Sequence, residues 1–158
     1  MRYVFDTNVF RHIFASYYRE IFRSFWIEFE PLISTGVVTS TSVVLAELER
    51  QRVEQDGFRW LVRKENLFPT PTEREGEFLR KIYDVERFRQ QNVGVRELYS
   101  GGNHADPFLI ARAAIKESTV VTQETYAEHS GKIPNICEYF GVPCVKLDGF
   151  MRAQNWRF

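Results

Sequence analysis

Tyr3-Val4-Phe5-Asp6-Thr7-Asn8 decides how this chain folds. Three consecutive apolar residues without alternation read as a short strand buried on both faces, the habit of a parallel sheet. A carboxylate directly after such a strand sits at its exposed carboxyl end, the edge where open α/β sheets bind ligands. The pattern returns at Val120-Val121-Thr122-Gln123-Glu124. Val37-Val38-Thr39 and Val142-Pro143-Cys144-Val145 read as two more strands. Helical patterns separate all four, so the expected class is α/β, a parallel central sheet flanked by helices.

From Val9 to Ile33, Phe10, Phe14, Tyr17, Ile21, Phe25 and Phe29 recur at three- and four-residue spacing. That is one long helix or two short ones, stopped near Pro31 and the turn at Ser34-Thr35-Gly36. The aromatic stripe is core or a self-association face; base stacking is the other use of such rings. Thr41 or Ser42 caps a helix over about 43–53, and a further helix runs over 58–65. Thr72 with Glu75 forms a capping box for a helix reaching about Asn92. Leu109, Ile110, Ala113 and Ala114 mark a small-residue helix, and Pro134 to Phe140 a short one with Gly141 as its C-cap. No repeat, low-complexity tract or linker interrupts the chain, and residues 1–158 read as one domain.

Composition narrows the class. The 158 residues are 44% apolar and 27% charged, ordinary for a globular protein and unlike a disordered one. Lys plus Arg and Asp plus Glu number 21 each, so the formal charge is zero. Gripping many phosphates would then need a local basic patch, for which Arg87, Arg89, Arg96 and Lys132 are candidates against a reading as solvated surface. Met1-Arg2-Tyr3-Val4-Phe5-Asp6 lacks the apolar core of a signal peptide, and no run is long enough to span a membrane. A cytoplasmic location is expected. Cys137 and Cys144, without a second pair, read as reduced thiols and not as zinc ligands.

Four acidic positions stand at element boundaries: Asp6, Glu47, Asp106 in Ala105-Asp106-Pro107-Phe108, and Glu124. Each has a plainer use. Asp6 fits an Asx turn or helix N-cap, Glu47 a solvated helix face, Asp106 an N-cap with proline at N1, and Glu124 a loop. If they converge, mutual repulsion raises some of their pKa values unless a divalent cation neutralises them. Together they point to a hard-metal site and to phosphoryl chemistry. Thr7, Asn8 and Thr122 are then candidates to hold the carboxylates. His104 and Lys132 are candidate phosphate contacts.

These positions, in this order, resemble the PIN-domain family of metal-dependent nucleases. The matches are Asp6-Thr7-Asn8, Glu47, Asp106 with Leu109-Ile110-Ala111, and Val121-Thr122-Gln123-Glu124, spanning Tyr3 to about Leu147. The stretch from Lys132 to Cys137, with Phe140-Gly141-Val142, looks like a prokaryotic PIN subfamily of poorly defined function. Glu124 stands where the family more often has Asp. The resemblance implies a parallel α/β sheet with its acidic pocket at the carboxyl edge. It also implies an Mg²⁺- or Mn²⁺-dependent endoribonuclease, with Asp6, Glu47, Asp106 and Glu124 as catalytic and metal-binding residues. Many bacterial members are toxins of toxin–antitoxin pairs and form homodimers, so an RNA substrate, an antitoxin partner and a homodimer are expected. The alternative is a non-catalytic PIN-like module that binds RNA or protein. A phosphatase of another α/β class fits less well, because no second Asp follows Asp6 at two residues.

Overall fold

The computed structural model describes residues 1–51, 56–64, 66–92 and 105–158. Among the described residues the sheet has four strands: β1 (Tyr3–Phe5), β2 (Val38–Thr39), β3 (Thr119–Val121) and β4 (Cys144–Val145). All are parallel, in the order β2-β1-β3-β4. The chain leaves β1 for β2 on one side and later returns to pair β3 on the other. That reversal lies between β1 and β3, where open sheets part at their carboxyl ends. Register makes the junction specific: Phe5 pairs with Val121, and the Asp6 N–H bonds the Val121 carbonyl at 3.0 Å. Asp6 and Thr122 therefore leave the sheet side by side.

The helices follow local chemistry closely. The aromatic stripe forms two helices, α1 (Thr7–Ser16) and α2 (Arg23–Ser34). Phe10, Phe14, Phe25 and Phe29 are buried, whereas Ile21 lies between the helices and is exposed. Phe5 meets Phe10, Phe29 and Phe150, so the stripe and the first strand share one aromatic core. Burying each such ring contributes about 2–3 kcal/mol before entropy is charged against it. The second helix runs through Pro31 and ends at Ser34, at the Ser34-Thr35-Gly36 turn that the sequence suggested. The missing Pro31 N–H strands only the Ile27 carbonyl, and Ile27 is 69% exposed, so solvent can serve it.

α3 (Ser42–Arg50) is capped by Thr41, whose hydroxyl accepts from Val44 N–H. α4 covers Asp56–Val62. The expected helix to Asn92 carries its Thr72–Glu75 capping box but breaks at Val85, giving α5 (Glu73–Asp84) and α6 (Glu86–Asn92). Val85 has an extended backbone (ψ 109°), which ends the helical run. α7 (Ala105–Ile115) packs along α5 and against α3. α8 (Ile133–Phe140) closes on Gly141 in the left-handed conformation, as expected for its C-cap. α9 (Leu147–Ala153) follows β4 and was not anticipated. No helix among the described residues is long and apolar enough to cross a membrane.

Candidate functional site

Asp6 occupies the end of β1 and is 3% exposed. Its Oδ1 accepts the Thr7 N–H at 2.6 Å and its Oδ2 accepts the Thr122 hydroxyl at 2.9 Å. Asp6 is thus the N-cap of α1, and its surroundings are also acidic. Burial pushes its carboxyl from 3.8 to about 7, with the charges of Glu124 and Glu47 adding to the rise; hydrogen bonds from Thr122 and Thr7 oppose it. Glu124 and Glu47 therefore both act on Asp6 at this edge.

Glu47 is buried and not solvated. Its Oε2 accepts the Thr7 hydroxyl at 2.5 Å and its Oε1 accepts the Ala105 N–H at 3.2 Å. Thr7 is therefore a bridge between the acidic end of β1 and α3. The second bond ties the start of α7, and Asp106 with it, to the same edge. Asp106 is not the residue before the helix: α7 begins at Ala105, which places Asp106 within the first turn, where the helix dipole favours a carboxylate.

Glu124 follows β3, and its Oε2 accepts the N–H of Ile133, the first residue of α8, at 2.8 Å. Asp6, Glu47 and Glu124 thus each turn an oxygen to a helix N-terminus, which eases their burial without removing their repulsion. Thr122 joins the group. Its oxygen also accepts from Glu124 N–H at 3.1 Å and from Asn8 Nδ2 at 3.3 Å, while Asn8 Oδ1 accepts the Gln123 N–H at 2.9 Å. Lys132 is exposed and precedes Ile133 at the start of α8. His104 and Arg96 lie outside the described residues. Arg87 stacks over the rings of Phe88 and Tyr139, so its guanidinium has an aromatic partner.

Sequence reading missed Tyr83. This half-buried residue of α5 has its phenol pushed up by burial and then by the charge of Asp106. Nothing local marks it, because the contact exists only once α5 lies on α7. Ser40, also missed, is fully buried past β2 and donates to the Phe5 carbonyl at 2.7 Å, fixing the residue before Asp6.

The oxygen-only acidic donors suit a hard cation. Among the described residues, however, no three Asp, Glu, His or Cys side chains are arranged to hold a metal ion between them. Glu47 and Glu124 each spend an oxygen on a helix start, which accounts for the open arrangement. The set fits a cation that keeps much of its water and is held by one or two carboxylates, as Mg²⁺ is. It does not fit a closed cage.

The fold has a solved counterpart. The chain superposes on one in the crystal structure of VapBC2 from Rickettsia felis bound to a DNA fragment from their promoter. The TM-score is 0.51 at 16% identity, covering 94% of this chain and 100% of that one. The architecture is the PIN-like one that the sequence implied. None of the curated proteins matches the sequence. Over residues 3–158 the sequence matches a family model, and the chain belongs to the family described as Domain of unknown function (DUF4411).

Proposed function

We propose that this protein is a divalent-metal-dependent endoribonuclease that hydrolyses RNA phosphodiesters at the acidic edge between β1 and β3. The observation that carries the reading is Asp6: a buried carboxylate raised to about 7 with two further carboxylates acting on it. A purely structural cap gains nothing from such neighbours, whereas a cation beside them relieves the repulsion. Asp6, Glu47, Asp106 and Glu124 would hold Mg²⁺ or Mn²⁺, directly or through water. The bound cation would supply Lewis-acid chemistry, activating a water and offsetting charge on the phosphate.

The chain's own part is orientation. Thr122 and Thr7 hold the Asp6 oxygens, and Thr7 with the Ala105 N–H holds Glu47. Asn8 and Thr122 brace the turn that presents Glu124. Exposed Lys132, just before α8, and His104 are the candidate phosphate contacts from the sequence.

The likeness to the VapBC2 structure supports a toxin of a toxin–antitoxin pair with an antitoxin protein as partner; a second copy of this chain is the other partner this reading expects. Exposed Tyr18, Ile21 and Ile27 between and on α1 and α2 offer apolar surface for one of them. The competing reading, a non-catalytic binding module, draws on the open arrangement of the acids. Incubating purified protein with single-stranded RNA separates the two. Cleavage with Mg²⁺ or Mn²⁺ that stops with EDTA and with Asp6→Asn supports the enzyme. RNA binding without cleavage in either metal supports the module.

A further inference from the structure

Beside the acidic edge lies a surface cavity of about 470 Å³, lined in part by Glu124, Tyr126, Cys137, Cys144 and Lys146. Local geometry brings its two cysteines together. Gly141 closes α8 at φ 66°, and the Val142 N–H returns to the Cys137 carbonyl at 2.9 Å. The reversed chain then enters β4, which packs against α8 and carries Cys144. Both cysteines line this one cavity, where α8 packs on β4. Cys137 is 1% exposed, while Cys144 is only partly buried.

We propose that Cys137 and Cys144 form a thiol modification site that a hydroperoxide converts into an intramolecular disulfide. Exposure assigns the order of events, since peroxide reaches the accessible sulfur first. The Cys144 sulfur attacks the peroxide O–O bond, giving a sulfenic acid and, from hydrogen peroxide, one water. The Cys137 thiol then attacks that sulfur, the S–S bond forms, and a second water leaves. Two electrons pass from the thiols to the peroxide, and both thiol protons leave in the waters.

The bridge bears on the acidic edge from two sides. Cys137 shares α8 with Ile133, whose N–H holds Glu124. Cys144 precedes Val145, whose carbonyl accepts the Thr122 N–H at 3.0 Å. Drawing the two sulfurs to the roughly 2.05 Å of a disulfide shifts α8 against β4. Glu124 and Thr122 move with those elements. This consequence, a slowing of RNA cleavage, rests on the nuclease reading; the disulfide itself does not.

The protein is treated with hydrogen peroxide, denatured, alkylated with N-ethylmaleimide and weighed intact. The expected species is a monomer lighter by two hydrogens with no adduct, and dithiothreitol restores two adducts. Cys137→Ser should stop at a sulfenic acid on Cys144 that dimedone traps, and in Cys144→Ser the Cys137 thiol should stay reduced. Two adducts after peroxide, or a bridge only between copies, overturns the proposal. In a parallel assay, peroxide should slow RNA cleavage by wild type at least tenfold, reversibly, and leave Cys144→Ser unaffected. A bridge that leaves cleavage unchanged overturns the coupling to Glu124. If reduced protein cleaves no RNA, the nuclease reading fails and the mass measurement still decides the disulfide.

Discussion

Glu47 Oε1 accepts the backbone N–H of Ala105 at 3.2 Å, joining α3 to the first turn of α7 across 58 residues of sequence. With Thr7 on its other oxygen, this carboxylate holds three elements in one arrangement. It is both a structural link and a charge at the candidate site.

Those two parts separate in mutants. Glu47→Ala leaves a buried N–H and a buried hydroxyl without their acceptor, at about 1–3 kcal/mol each. A fall in Tm of roughly 5–20 °C is expected for a chain of this size. Glu47→Gln keeps an acceptor for Ala105 and a donor for Thr7, so it should melt close to wild type. RNA cleavage should nonetheless drop by orders of magnitude, because the charge is gone. Thermal melts and cleavage rates on the same two variants check this. A Gln variant as active as wild type would make Glu47 a link and nothing more.

Asp6 predicts an unusual pH dependence. Its carboxyl is raised from 3.8 to about 7, chiefly by burial. Between those values the folded state keeps a proton that the unfolded chain has released. Stability contributed by that proton is full below pH 3.8, falls as pH rises through the window, and is gone above about 7. In EDTA, wild type should therefore lose more Tm than Asp6→Asn between pH 5 and about 7. The amide oxygen of the Asp6→Asn variant can still accept the Thr7 N–H, so capping is retained. Parallel melting curves for the two proteins across the window would refute the raised carboxyl.

How much of this was legible beforehand depended on distance along the chain. Tyr3-Val4-Phe5 and Val120-Val121 announced themselves because an unbroken apolar run needs both faces covered. The Thr72–Glu75 box and Gly141 are local devices, and both stand where they were expected. The break at Val85 was hidden, since the polar pattern of α5 runs into α6 without a Gly or Pro. The C-terminal α9 was hidden too, in a short segment with Gly149 inside it. Above all, the bonds that organise the acidic edge are tertiary. Glu47 to Ala105, Thr122 to Asp6 and Glu124 to Ile133 link different elements, and no spacing rule predicts them. The sequence could say that four carboxylates stood at element ends, but not that three of them would be held by helix starts.

The interface between α5 and α7 rests on a buried ion pair. Arg112 Nη1 lies 3.0 Å from Glu75 Oε1, while Glu75 Oε2 accepts the Thr72 N–H at 3.0 Å. The Arg112 Nε is buried without a hydrogen-bond partner. Arg112→Met should cost about 3–5 kcal/mol by stranding a buried carboxylate. Adding Glu75→Gln should recover much of that loss, because Gln at this position still completes the capping box. Urea denaturation of both variants tests the pair. Equal stability of the single and double variants would show that Glu75 is not held charged by Arg112.

Asp106 offers the sharpest division between a cap and a metal ligand. It sits in the first turn of α7, where Asn keeps the side chain's shape but not its charge. On the metal reading, millimolar Mg²⁺ or Mn²⁺ raises Tm by an amount set by its concentration over its dissociation constant. Asp106→Asn should shrink that increment while leaving the metal-free Tm equal to wild type or higher, since one repelling charge is removed. Tyr83 provides an independent gauge. Its phenol is raised by burial and by Asp106, so the variant should ionise Tyr83 at lower pH, read from phenolate absorbance. A lowered Tyr83 pKa with an unchanged metal increment would place Asp106 beside Tyr83 but outside the metal's reach. A destabilised metal-free protein with the increment intact would make Asp106 a helix-end residue alone, and the four-carboxylate site would be wrong.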